Sequence, residues 1–146
     1  MSRNTPKQVM IIDDSLTVRK IVEVCLRRKG IACSSYASGY EALRALSARK
    51  ETVPDLVFLD VGLPKMDGYR VAQHLKAKQE YKETVIVMLS GHSGMLDRLK
   101  GRLSGARNYM TKPFKTDDIL SVVYESLNIP LSARNECGAP STGTGR

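Results

Sequence analysis

Five polar residues stand at, or just past, the C-terminal ends of short apolar runs. Asp13 and Asp14 close Val9-Met10-Ile11-Ile12, Asp60 closes Leu56-Val57-Phe58-Leu59, and Ser90 closes Val85-Ile86-Val87-Met88-Leu89. Lys112 follows Tyr109-Met110-Thr111 and precedes Pro113. Continuous apolar runs of this length read as strands of a parallel sheet buried on both faces. Ligands of such sheets bind in the crevice beyond the carboxyl ends of the strands. Three carboxylates, a hydroxyl and an ammonium are therefore expected at one edge. Asp13 and Asp14 repel each other and Asp60, so they require a counter-ion. Mg²⁺ suits them, because it takes oxygen ligands, keeps several waters and pairs one or two carboxylates with a phosphate. Asp60, on the central run, offers a nucleophilic oxygen. Lys112 offers a point charge for phosphoryl oxygens, and Ser90 a hydroxyl donor with Gly91 leaving room beside it. Neither His74 nor His92 is placed as a dedicated general base for a second substrate. The expected chemistry is acceptance of a phosphoryl group on Asp60, followed by slow hydrolysis.

Each residue also has a duller reading. Asp13-Asp14 could cap a helix, Asp60 could cap its loop, Ser90 could start a helix, and Lys112-Pro113 could be an ordinary turn. One such reading is easy to accept. All of them together, at matching strand ends and in this order, are a poorer account than one shared site.

The elements that must position these groups alternate strand and helix five times. Strands are expected at 8–13, 31–36, 55–60, 85–89 and 106–110, the last being the weakest in pattern. Ser15 can cap a helix with Val18, Ile21, Val22, Cys25 and Leu26 on one stripe, and Gly30 ends it in the C′ position. Further helices are expected at 38–49 (Ala42, Leu43 and Leu46 on one stripe), at about 66–78 (Val71, Ala72, Leu75) and at about 94–104 (Leu96, Leu99, Leu103), where Gly101 is a weakness. The last helix begins at Thr116, with Asp117 and Asp118 in its first turn and Ile119, Leu120, Val122, Val123 and Leu127 inward. Alternation of this kind implies right-handed crossovers and an α/β fold with a five-stranded parallel sheet.

The chain has 146 residues, 42% of them apolar, enough for one domain with a core. Residues 1–7 read as an N-terminal extension, 8–129 as the domain and 130–146 as a flexible tail too poor in apolar residues to bury itself. No run approaches the ~20 apolar residues of a membrane span, and the polar start shows no secretory signal. Cys25, Cys33 and Cys137 form no paired motif, which suggests a reducing compartment, the cytoplasm. The net charge of +8 is concentrated in Arg19, Lys20, Arg27, Arg28 and Lys29, and again in Arg98, Lys100, Arg102, Arg107 and Lys112. No aromatic residues interleave with these charges and no recognition-helix module is visible, so direct nucleic-acid binding is not expected. The better reading is a solvated face that can also serve as a docking surface, the sharper alternative being an acidic partner.

Four motifs, Ile-Ile-Asp-Asp-Ser (11–15), Leu-Asp-Val-Gly-Leu-Pro-Lys-Met-Asp-Gly (59–68), Met-Leu-Ser-Gly (88–91) and Gly-Ala-Arg-Asn-Tyr-Met-Thr-Lys-Pro-Phe (105–114), occur in this order. With them the chain resembles the receiver domain of bacterial two-component response regulators, of the chemotaxis type that stands alone, over about residues 7–128. It looks closest to receivers of type IV pilus (twitching motility) chemosensory systems. The resemblance implies a (βα)5 flavodoxin-like doubly wound fold and a phosphorylation-activated switch that takes its phosphoryl group from a sensor histidine kinase. It implies Asp60 as phosphoacceptor, Asp14 as direct Mg²⁺ ligand, Asp13 acting largely through water, and the backbone carbonyl of Gly62 as a further ligand. It implies a cis bond between Lys112 and Pro113, and Ser90 and Tyr109 as a switch pair. A downstream target would bind the face made by the fourth helix, fifth strand and fifth helix, with the protein a monomer or a phosphorylation-dependent dimer. Gly62 and His92 fall where the family tunes phosphate lifetime, and both depart from the larger or acidic groups found there.

The runner-up is a Mg²⁺-dependent phosphatase working through an aspartyl-phosphate. Such an enzyme would want an acid two residues after the nucleophile, where Gly62 stands. A flavin- or nucleotide-binding domain would want a phosphate-cradling loop after the first strand, where Asp13 and Asp14 would repel the phosphate.

Overall fold

The computed structural model describes residues 7–63, 65–91, 99–100 and 102–129. Five strands, β1 (Gln8–Ile12), β2 (Ala32–Tyr36), β3 (Leu56–Asp60), β4 (Val85–Ser90) and β5 (Asn108–Thr111), form one parallel sheet in the order β2-β1-β3-β4-β5. Four helices are described whole: α1 (Leu16–Arg27), α2 (Gly39–Ser47), α3 (Gly68–Lys76) and α4 (Thr116–Ser126), with a single 3₁₀ turn at Gln79–Tyr81. The fold is the flavodoxin-like doubly wound sheet expected from the alternation of elements.

The apolar runs are continuous because each central strand is covered twice. Val9, Ile11, Leu56, Phe58, Val85, Val87 and Leu89 pack on one face with Val22, Cys25 and Leu26 of α1 and Ile119 and Val123 of α4. Met10, Ile12, Val57, Leu59, Ile86 and Met88 pack on the other with Ala42 and Leu46 of α2 and Val71, Ala72 and Leu75 of α3. Right-handed crossovers explain this partition. The chain moves outward from β1 to β2 through α1, then back across β1 to β3 through α2, so the two helices fall on opposite faces.

Helix ends follow local chemistry. The Ser15 hydroxyl accepts the Val18 N–H at 3.3 Å, as expected from its place before the stripe. At the other end of α1, Ile31 N–H reaches the Leu26 carbonyl and Gly30 N–H the Arg27 carbonyl, both at 3.0 Å. This is a Schellman turn with Gly30, at φ 73°, in the left-handed position. The same pair of bonds closes α2 at Arg49 (φ 59°) and α4 at Asn128 (φ 55°).

Several expectations need correction. Helix α3 starts at Gly68, not near 66, because the Asp67 carboxylate accepts the Arg70 N–H at 3.0 Å and makes Asp67 the N-cap. Strand β5 is displaced to Asn108–Thr111, as an edge strand whose pairing, from Val87↔Asn108 to Ser90↔Thr111, reaches polar residues at both ends. Ile21, placed on the buried stripe of α1, is exposed. Of the helix expected at 94–104, residues 99, 100, 102 and 103 are helical, while Leu96 and Gly101 lie outside the described residues. Leu99 and Leu103 are 51% and 77% exposed, so that stripe is not buried. Cys25 and Cys33 are free. Burial raises both thiols, that of Cys33 to about 12, so neither is a reactive thiolate.

Gly30→Ala is expected to lower stability by about 1 kcal/mol, the ~1–2 kcal/mol of left-handed strain less the ~0.4–1 kcal/mol gained by stiffening the unfolded chain. Urea unfolding of the two proteins checks it.

Candidate acidic site

The chain changes direction across the sheet between β1 and β3, which are neighbours in space. The crevice of a doubly wound sheet opens at such a reversal. Asp60 ends β3 and Asp13 directly follows β1. Carboxylate oxygens of Asp13, Asp14 and Asp60 lie within 4.8 Å of one another. Asp13 is fully buried, Asp60 is 6% exposed and Asp14 is exposed.

Lys112 arrives from the far side of the sheet. Its main-chain N–H donates to the Ser90 carbonyl at 2.7 Å, continuing the β4–β5 pairing past Thr111. Its ammonium donates to Asp13 Oδ2 at 2.8 Å and lies 3.4 Å from Asp60 Oδ1. The Lys112–Pro113 peptide bond is cis. Asp13 is satisfied at every polar atom: Oδ1 accepts the Ser15 N–H at 2.9 Å, its own N–H donates to the Tyr36 carbonyl at 3.1 Å, and its carbonyl accepts from Arg19 Nη1 at 2.8 Å. Asp60 Oδ1 also accepts the Gly62 N–H at 3.2 Å. The duller reading of Asp60 as a loop cap is thus partly right, since it accepts the Gly62 N–H, whereas the helix cap read at Asp13-Asp14 falls to Ser15, and Asp13 accepts the Ser15 N–H just before it. A cap does not explain why a lysine 99 residues away is drawn between them.

Burial pushes the Asp60 carboxyl above its ordinary value, and the neighbouring Asp13 charge pushes the same way; Lys112 and the Gly62 N–H only partly offset them. Burial alone would lower the Lys112 ammonium, but its hydrogen bond to Asp13 and the charges of Asp13 and Asp60 outweigh that and raise it. The donor set fits a hard divalent cation: all oxygen, anionic, and open on the side of Asp14.

Ser90 is 4% exposed, at the end of β4 beside Asp60 in the register Asp60↔Leu89. Tyr109 is half-buried on β5 opposite Met88, two pairs below Ser90↔Thr111, and packs on the α2–α3 side of the sheet. Gly62 is exposed, with nothing within 4 Å of where a Cβ would stand. Pro113 is exposed. His92 lies outside the described residues.

Two positioning residues escaped the sequence reading. Arg19 was read as one charge in a basic cluster, yet it reaches back over the first loop. Gly68 was seen only as part of a motif. A Cβ there would come within 2.3 Å of the Asp60 carbonyl oxygen, and the Gly68 N–H donates to the Val61 carbonyl at 3.1 Å. Its bare backbone lets α3 start directly against the acceptor strand; an Asp-Gly pair before an apolar helix was the available signal.

Sheet, reversal point, acid cluster and bridging lysine together define a doubly wound α/β domain with an acidic site at the carboxyl edge of its sheet. Residues 9–124 match the response regulator receiver domain, and the chain belongs to that family. It is 34% identical to Protein PilG of Pseudomonas aeruginosa over 116 residues, covering 80% of this chain and 84% of that protein. It is 32% identical to the sensor histidine kinase CheAY of Helicobacter pylori over 130 residues, covering 88% of this chain but 16% of the kinase. The structure of the chemotaxis response regulator CheY4 of Vibrio cholerae superposes with a TM-score of 0.75 at 27% identity, over 84% of this chain and 99% of that one. Other curated relatives are spanned for about half their length.

Gly68→Ala is expected to cost ~1–3 kcal/mol by overpacking against strand backbone, measurable in urea. Without metal, Asp60→Asn is expected to stabilise the protein at neutral pH. The folded carboxyl is raised, so its favourable contribution is present below the unfolded value near 4 and is lost as pH rises through the folded value. Melting curves should separate the two proteins at pH 7 and converge towards pH 3; a less stable Asp60→Asn protein at pH 7 would contradict this.

Proposed function

We propose that this protein is a switch of a two-component phosphorelay, accepting a phosphoryl group on Asp60 from a sensor histidine kinase. The observation that carries the reading is Lys112, whose ammonium bridges two buried carboxylates, one just past β1 and one at the end of β3, at 2.8 and 3.4 Å. An Asp60 oxygen attacks the donor phosphorus; the O–P bond forms as the donor's N–P bond breaks, and the donor imidazole leaves with the electron pair. The Lys112 ammonium pairs with a phosphoryl oxygen, and the Ser90 hydroxyl donates to another. Mg²⁺, held by Asp13, Asp14, Asp60 and the Gly62 carbonyl, with Asp13 acting largely through water, would supply the charge neutralisation that lets phosphate approach this acidic edge.

Ser90 and Tyr109 form the switch pair: Ser90 closes on the phosphoryl group and Tyr109 turns inward from its half-buried place on β5. The face that includes residues 99–100 and 102–104, β5 and α4 then changes shape and binds a downstream target, by a population shift rather than a new fold; the rest of the expected fourth helix lies outside the described residues. Gly62 and His92 set how long the phosphate lasts. The domain spans 8–129, with 1–7 as an extension and 130–146 as a tail, and works in the cytoplasm without membrane insertion or direct nucleic-acid contact. The narrower resemblance to pilus receivers, and the likeness to PilG and CheY4, support a place in chemotaxis-like or pilus motility control. Among the described residues no helix is long and apolar enough to cross a membrane. Receiver domains are in general signalling switches rather than enzymes, and the phosphatase alternative has no acid at Gly62 to protonate a leaving group.

The test is incubation with acetyl phosphate and Mg²⁺ followed by intact mass. The wild-type chain should gain one phosphoryl group, labile in base, and Asp60→Asn should gain none. An Asp60→Asn protein that is modified like the wild type would end this reading.

A further inference from the structure

The loop that carries Asp14 is closed by a side chain that the phosphoryl chemistry does not use. Arg19, in the second turn of α1, donates from Nη1 to the main-chain carbonyl of Asp13 at 2.8 Å. The contact spans six residues, from the end of β1 to α1, and encloses Asp14 and Ser15 in a ring. Within it the Ser15 N–H is tied to Asp13 Oδ1 at 2.9 Å and the Ser15 hydroxyl caps α1. No carboxylate lies within salt-bridge distance of Arg19 among the described residues, so its charge is committed to a backbone oxygen at the rim of an acidic site. Guanidinium suits that task, because its donors are planar and fixed in direction and its charge does not titrate. Asp13 is buried and held at four atoms, whereas Asp14 is exposed, and its place depends on the backbone that carries it.

We propose that Arg19 is a positioning residue for the cation site: its guanidinium staples the β1–α1 loop to the Asp13 carbonyl and thereby holds Asp14 over the acid cluster. The inference rests on the reading of that cluster as a Mg²⁺ site. It makes a prediction of definite sign. A cation beside a metal site repels the metal, so deleting the charge alone would tighten Mg²⁺ binding. Deleting the staple frees the loop, so that ordering Asp14 must be taken from the binding free energy, which weakens it. The staple makes the second effect the larger.

The experiment is calorimetric titration of the full chain with MgCl₂ in 0.5 M KCl, well below the melting temperature, where through-space charge effects are screened. Wild type, Arg19→Met, Arg19→Lys and Asp14→Ala are compared, and circular dichroism checks that each is folded. Arg19→Met should bind Mg²⁺ about 10-fold more weakly, the low end of what is expected for a residue that orients a metal ligand. Arg19→Lys, which can bring one ammonium donor to the same carbonyl, should recover most of the loss. Phosphoryl uptake from acetyl phosphate by Arg19→Met should return to the wild-type rate as Mg²⁺ is raised, a shift in the metal requirement and not in the maximal rate. A purely structural role would lower the melting temperature and leave Mg²⁺ affinity unchanged. Affinity unchanged or tightened in folded Arg19→Met overturns the staple while leaving the metal site standing. Absence of binding by the wild type, or binding by Asp14→Ala equal to it, overturns the metal site and the staple with it.

Discussion

Carboxylates brought to one dry edge of a sheet repel each other, and the arrangement persists only where a cation stands among them. Here the resident cation is the Lys112 ammonium, 2.8 Å from a fully buried Asp13 and 3.4 Å from Asp60. A buried carboxylate stripped of such a partner would cost about 3–5 kcal/mol, a large part of what holds a domain of this size together. The balance is incomplete, for Asp60 still has its carboxyl raised by burial and by Asp13. That residual repulsion leaves the edge electrostatically favourable to a further cation.

The fold serves this one electrostatic arrangement in two ways. Sheet order places β3 between β1 and β4, so the strand that ends in Asp60 touches the strand before Asp13 on one side and the strand that ends in Ser90 on the other. The loops beyond the strands are then held by short-range bonds: Ser15 and Arg19 on the first, Gly62 and Gly68 on the third, and the Ser90–Lys112 main-chain contact on the fifth. A stiff sheet sets where each group arrives, and the loop bonds set where it points.

Much of this was readable residue by residue. Three apolar runs became the strands β1, β3 and β4 within a residue or two of their expected ends, because burial on both faces leaves a run with no polar interruptions. Ser15 and Gly30 acted at the helix ends as their side chains, or lack of one, require. What could not be read was pairwise. Lys76 looks like an ordinary lysine in a last helical turn, yet its ammonium donates to the carbonyls of Tyr81, Lys82 and Thr84. Leu99 and Leu103 have helical spacing, which reports that two side chains share a face but not whether anything covers that face. Asp67 caps α3 by a local bond to the Arg70 N–H, but that Gly68 beside it lies against the Asp60 carbonyl, with no room for a Cβ, is a tertiary fact.

Local chemistry written into the chain was sufficient for the kind of elements, their alternation and the identity of the charged groups at strand ends. These follow from side-chain period, capping and conformational preference, each of which acts within a few residues. Only the assembled sheet could decide that Lys112 sits between Asp13 and Asp60, and that Asp13 is sealed from solvent while Asp14 is not. Those outcomes depend on which strands become neighbours and how deeply each residue is desolvated, and no window along the chain contains that information.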